Sequence, residues 1–106
     1  MRHNPLLLIL LSLLVVSTVT MRATDLRGRI DGSNGPLPGV GVALFAVLPN
    51  GSYEIVHRTV TGGDGVYYFT GVRPGQYVLQ IAGANYPVKI EDRPTQDLPI
   101  IQPPQR

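Results

Sequence analysis

From Thr24 onward, turn-forming residues cut the chain into short segments at nearly regular intervals, and no segment between them shows helical periodicity. The cuts fall at Asp31-Gly32-Ser33-Asn34-Gly35-Pro36, Pro49-Asn50-Gly51-Ser52, Gly62-Gly63-Asp64-Gly65 and Gly71-Val72-Arg73-Pro74-Gly75. Gly and Asn tolerate positive φ and Pro presets its own φ, so each cluster reverses the chain. Strand-length segments spaced in this way belong to an all-β sandwich or barrel. The 12 Gly and 10 Pro in 106 residues exceed the roughly 12% of an average chain but stay below the roughly 25–30% of low-complexity disorder. They punctuate a folded domain.

Seven strands are predicted: Leu26–Asp31, Val40–Leu48, Tyr53–Thr61, Val66–Thr70, Gln76–Ala82, Tyr86–Glu91 and Gln96–Ile101. Val40–Leu48 is apolar on both faces, with Val40, Val42, Leu44, Ala46 and Leu48 on one and Gly41, Ala43, Phe45 and Val47 on the other, which marks a central strand. Asn50-Gly51 joins it as an antiparallel hairpin to Tyr53–Thr61, whose mixed faces place it nearer an edge. Its residues Glu54, Val56, Arg58 and Val60 should alternate with Tyr53, Ile55, His57 and Thr59. Tyr67 and Phe69 share a face, and Tyr77, Leu79 and Ile81 point inward with Gln76, Val78 and Gln80 outward. The predicted core is Val40, Val42, Leu44, Tyr67, Phe69, Tyr77, Leu79 and Ile81, and the turns that pin register are Gly35, Gly39, Asp64, Gly65, Pro74 and Gly75. The domain spans residues 24–102, and the proline-rich end, 103–106, is a disordered tail.

Ahead of the domain, Arg2, His3 and Pro5 precede the apolar run Leu6–Val16. A membrane-spanning helix needs about 20 apolar residues and a signal-peptide core about 7–15. Residues 1–23 therefore read as a helical signal peptide cut between Ser17 and Thr24; uncut, the same segment would be a membrane anchor. Either way the domain is exported, periplasmic or secreted, and meets a membrane only through that segment. Setting aside Arg2 and Arg22 reduces nine cationic side chains to seven, against seven carboxylates. A neutral domain with dispersed arginines excludes nucleic acid and anionic lipid as partners.

The chain has no cysteine, which removes disulfides, thiolate metal sites and a cysteine nucleophile. His57 is the only histidine beyond the leader, and one imidazole makes neither a His-based metal site nor a triad, since Ser33 and Ser52 belong to turns. Residues 31–35 and 62–65 lack the spaced oxygen ligands and terminal acid of a calcium loop. The sequon Asn50-Gly51-Ser52 is accounted for by its turn. No catalytic residue, metal or cofactor is expected. Tyr53, Tyr68 and Tyr86 are the candidate exposed aromatics on which a polysaccharide or small ligand could stack, although the chain lacks Trp.

Four blocks occur in order: Leu-Arg-Gly-Arg-Ile at 26–30, Gly-Pro-Leu-Pro-Gly-Val-Gly-Val-Ala-Leu at 35–44, Asp-Gly-Val-Tyr-Tyr-Phe at 64–69 and Val-Arg-Pro-Gly-Gln-Tyr-Val-Leu at 72–79. The set resembles the carboxypeptidase regulatory-like domain family, transthyretin-like (prealbumin-like) β-sandwiches, and covers nearly all of the chain past Thr24. The resemblance implies a seven-stranded Greek-key sandwich that is not catalytic. It also implies an interaction or structural role, with another envelope or secreted protein as partner. Transthyretin-like hydrolases of a purine-derived ring resemble one another in a pair of His with Arg near a C-terminal Tyr-Arg-Gly-Ser, whereas this chain has His57 alone there and ends Gln102-Pro103-Pro104-Gln105-Arg106. Related adhesin repeats bond a first-strand Lys to a last-strand Asn. Here Lys89 is the only lysine and comes late, Asn85 is only four residues from it, and Arg27 and Arg29 cannot act as amine nucleophiles. Truncating Phe69 to Ala should cost roughly 3–5 kcal/mol in thermal denaturation; an unchanged melting temperature would remove Phe69 from the core.

Overall fold

A computed structural model describes residues 22–104. The expected leader, apart from its last two residues, and the final residues 105–106 lie outside that range. The described chain forms β1 (Thr24–Arg29), β2 (Asp31–Gly32), β3 (Gly35–Pro36), β4 (Gly41–Val47), β5 (Tyr53–Val60), β6 (Val66–Val72), β7 (Gly75–Ile81), β8 (Ala84–Ile90) and β9 (Thr95–Asp97). One sheet has the order β6-β1-β9 and the other β5-β4-β7-β8, so the two principal sheets hold the seven predicted strands. The Asp31–Pro36 turn adds the two-residue hairpin β2–β3. Each hairpin of the four-stranded sheet is entered from, and left toward, the three-stranded sheet, which is the Greek-key crossing of a transthyretin-like sandwich.

The last strand is shorter than expected and runs parallel to β1. Pro99 has no N–H to donate, so the ladder skips it: Leu98 N donates to Arg27 O (2.8 Å), Ile101 N to Arg29 O (3.1 Å), and Asp31 N back to Ile101 O (3.0 Å). This stitching buries Leu98 and Ile101. Pro103, in the segment expected to be a tail, is also buried.

The inward faces meet in a core of Leu26, Ile30, Val42, Leu44, Tyr67, Phe69, Val72, Tyr77, Leu79, Ile81, Ile90, Leu98 and Ile101. Val40 is half-buried and packs against its edge. Tyr67 and Phe69 meet edge-on at 5.7 Å, and the Tyr77 hydroxyl escapes the core by donating to Arg73 O at 2.7 Å. Val78, expected to face solvent, is only 9% exposed. It stands between Phe45 and Pro87, its cross-strand partners on β4 and β8.

Two glycines hold the sheets in register. Gly28 pairs directly with Tyr67, and a Cβ at Gly28 would fall on the Tyr67 ring and hydroxyl, so the aromatic side chain folds back over its own cross-strand partner. Gly65, at φ 74°, leaves no room either: a Cβ there would lie 2.6 Å from Ile30 O, while Ile30 N donates to Gly65 O at 2.8 Å. Beside it, Asp64 Oδ1 accepts from Val66 N at 3.0 Å. Gly35, Gly39 and Gly75 also have positive φ, and Pro74 is half-buried ahead of Gly75.

Two buried threonine hydroxyls tie the corners. Thr61 Oγ1 donates to Leu37 O (2.6 Å) and accepts from Val40 N (2.9 Å), and Thr24 Oγ1 donates to Glu91 O (2.8 Å). The Gln96 side chain closes the β8–β9 crossing, donating to Lys89 O and accepting from Glu91 N.

The Tyr67 hydroxyl is buried without a hydrogen-bond partner among the described residues. Burial pushes its pKa from 10.0 up to about 12. The folded state therefore holds the phenol protonated, and the associated stability is complete below pH 10 and drains away between pH 10 and 12. Tyr77 adds a share of the same sign, raised by burial against the opposing pull of Arg73. Tyr67→Phe should be neutral to about 1 kcal/mol stabilising at pH 7 and should flatten the alkaline decline, both read from denaturant unfolding against pH. A loss of more than about 1 kcal/mol would mean the hydroxyl has a partner.

Candidate interaction surface

The three candidate tyrosines do not share a surface. Tyr53 pairs with Val47 on the outer face of the four-stranded sheet and is 59% exposed. Tyr68 pairs with Arg27 on the outer face of the other sheet. Tyr86 pairs with the core residue Leu79 and is half-buried against the core, because the strand alternation turns it inward. A single ligand cannot stack on all three.

What the fold does assemble is an apolar surface on the β5-β4-β7-β8 sheet. Of the seven large hydrophobic residues exposed among the described residues, five (Val47, Tyr53, Ile55, Val56 and Val60) lie on the β4–β5 hairpin, and register sets four of them, all but Val56, on this outer face. Register then lines up Ile55, Phe45, Val78 and Pro87 as one apolar rung crossing all four strands. The neighbouring rung is polar: Arg58, Ala43, Gln80 and Asn85, with Gln80 Nε2 donating to Asn85 Oδ1 at 3.4 Å. Because Gly41 and Ala43 are small, the centre of this face sinks into an open groove of about 550 Å³ between Phe45, Ile55, Arg58, Val60 and Gln80.

A β-bulge decides which β5 residues reach this face. Leu44 pairs with His57 but Phe45 pairs with Ile55, which leaves Val56 as an extra residue. The simple alternation expected for the strand is therefore broken. Tyr53, Ile55, Arg58 and Val60 sit opposite the outward residues Val47, Phe45, Ala43 and Gly41, whereas Glu54 pairs with the inward Ala46. His57 is turned inward, 5.8 Å from the Phe69 ring. The outward strand residues of this sheet thus include two cations, Arg58 and Lys89, and no carboxylate. Just past β8, Glu91 is held below the usual carboxylate range, mainly by its hydrogen bond with Arg93. The outer face of the other sheet is of mixed sign, carrying Asp25, Arg27, Arg29 and Asp97, with Arg29 paired to Asp31 at 2.8 Å. Among the described residues no group of three His, Asp or Glu could hold a metal ion, and no helix is long and apolar enough to cross a membrane.

Residues 25–96 match the family described as BOS complex subunit NOMO1-like, second beta sandwich domain. The chain belongs to that family. As a NOMO1-like second β-sandwich it has the prealbumin/transthyretin-like fold, and solved structures agree. It is similar to the group B streptococcus pilus 2b backbone protein (TM-score 0.56, 17% identity, covering 79% of this chain and 42% of that one). It is also similar to GBS52, the minor pilin of Streptococcus agalactiae (TM-score 0.62, 20% identity, 83% and 48%). An (S)-allantoin synthase has a similar fold (TM-score 0.57, 12% identity, 95% and 52%). The chain spans about half the length of these proteins or less, and the likeness is one of fold. No curated protein matches its sequence.

The groove of this NOMO1-like sandwich ends at the β7–β8 turn, where Ala82 and Gly83 both take positive φ (51° and 81°) between the paired Ile81 and Ala84. Such a two-residue turn favours Asn-Gly, and an alanine held left-handed costs roughly 1–2 kcal/mol. Replacing Ala82 by Asn should therefore raise stability by about 1 kcal/mol, seen as a higher denaturation midpoint; a lower midpoint would mean that the Ala82 methyl makes compensating contacts.

Proposed function

We propose that this chain is a non-catalytic β-sandwich module, exported with residues 1–23 as its leader and 24–102 as the domain, and that it works by protein contact through the outer face of the β5-β4-β7-β8 sheet. The carrying observation is the apolar rung Ile55–Phe45–Val78–Pro87 together with the exposed hydrophobic residues of the β4–β5 hairpin. Exposed apolar residues gathered on one face mark an interaction site rather than ordinary surface. The edge strand β5 borders the same face and offers free backbone donors and acceptors. The family description, which names a subunit of a complex, and the pilus backbone and minor pilin among the structural neighbours support an assembly role. The separation of Tyr53, Tyr68 and Tyr86 onto different surroundings favours a protein partner over a polysaccharide.

Crosslinking in the native envelope tests the reading. Ile55→Glu should abolish the chain's crosslinked products, while Tyr68→Ala, on the opposite sheet, should leave them. An unmodified chain that forms no products, or products that survive Ile55→Glu, would overturn it.

A further inference from the structure

Resting on that interaction role, we propose that the outer face of the β5-β4-β7-β8 sheet receives a partner protein segment whose apolar ridge is bordered by carboxylates, rather than a second copy of this chain. The charges on the face carry the inference. Arg58 stands on the rim of the groove and Lys89 on the far edge strand, and neither forms an ion pair among the described residues. No carboxylate shares the strand face with them: the bulge at Val56 has turned Glu54 toward the other side, and the Glu91 carboxylate beyond β8, though it feels the charge of Lys89, is hydrogen-bonded by Arg93.

A second copy docked face to face about a two-fold axis would present the same two cations and no acid, so its charges would repel. A partner with carboxylates would meet, at both ends of an apolar strip, a cation that no carboxylate contacts directly among the described residues. The two cations fix the spacing. Three strand intervals of about 4.8 Å separate β5 from β8, and Lys89 lies four residues along β8 from Asn85 in Arg58's rung, so the two positions are roughly 20 Å apart diagonally. That distance corresponds to about thirteen residues of helix or six of strand. The face measures roughly 20 by 23 Å, or about 450 Å², against about 800 Å² per partner in a standard interface. Binding is therefore of micromolar class and weakened by salt.

The test uses the isotope-labelled chain and three helical peptides of about fifteen residues that share one leucine stripe and carry Glu, Gln or Lys at two positions about thirteen apart. Backbone amide shifts report where each binds. The Glu peptide should move the amides of Phe45, Val78 and Gln80 with a Kd of about 10–100 µM. The Gln peptide should bind roughly three- to tenfold more weakly and the Lys peptide more weakly still. Arg58→Glu with Lys89→Glu should reverse that order while the core amides stay unchanged. Equal affinities of the three peptides, with shifts still at Phe45 and Val78, would overturn the charge rule and leave the interaction role standing. Shifts at Arg27 and Tyr68 instead, or none at millimolar peptide, would overturn both. Self-association of the chain alone that moves Phe45 and Val78 would assign the face to a second copy and overturn the proposal.

Discussion

The fold depends on one close approach, the side chain of Tyr67 lying over the Cα of Gly28. The two residues face each other across the β1–β6 ladder, so the contact sets register and fills the core together. A one-residue slip would put a side chain where the ring must lie and would turn every inward residue of β1 toward solvent. Placing the ring there buries the phenol where no described residue meets its hydroxyl with a hydrogen bond. The site tolerates an unsatisfied polar atom because the ring's apolar area and its edge-on contact with Phe69 outweigh the cost of burying the hydroxyl.

Much of this architecture is readable from local chemistry. Asp64-Gly65 and Pro74-Gly75 act through their own backbone preferences, so their turns are legible without knowing what surrounds them. The inward set Tyr67, Phe69, Tyr77, Leu79 and Ile81 follows from period-two alternation. The turn at Ala82-Gly83 escapes such reading because alanine gives no hint of a left-handed conformation. Val78 escapes it because its neighbours Phe45 and Pro87 arrive from other strands, which period-two alternation within its own strand cannot foresee. Gly28 is visible only as one residue of the Leu-Arg-Gly-Arg-Ile block; its necessity appears once Tyr67 is placed over it. The candidate surface was half legible. The apolar outer side of β4 could be seen, but the bulge at Val56, which sorts Arg58 from Glu54, arises from pairing and leaves no local mark.

The two outer faces divide the molecule's roles. One carries alternating acids and bases, including the self-contained Arg29–Asp31 pair, and is suited to water. The other concentrates apolar side chains around a depression made by Gly41 and Ala43. The division requires no extra element, since it follows from which side chains the central strand β4 points outward and from one inserted residue in its neighbour.

The strand β1 takes its two partners from much later in the chain: β6 lies beyond the whole β4–β5 hairpin, and β9 is the last strand among the described residues. Contacts of such long separation close slowly, because the intervening chain must be ordered first. A polypeptide threaded through a narrow channel with its N-terminus leading could form the β4–β5 hairpin early on the far side. It could not seal the sheet around β1 until Thr95–Asp97 had passed. The topology thus delays closure of the sheet around β1 until β9 is available, and it leaves that edge of β1 open in any chain truncated before Thr95.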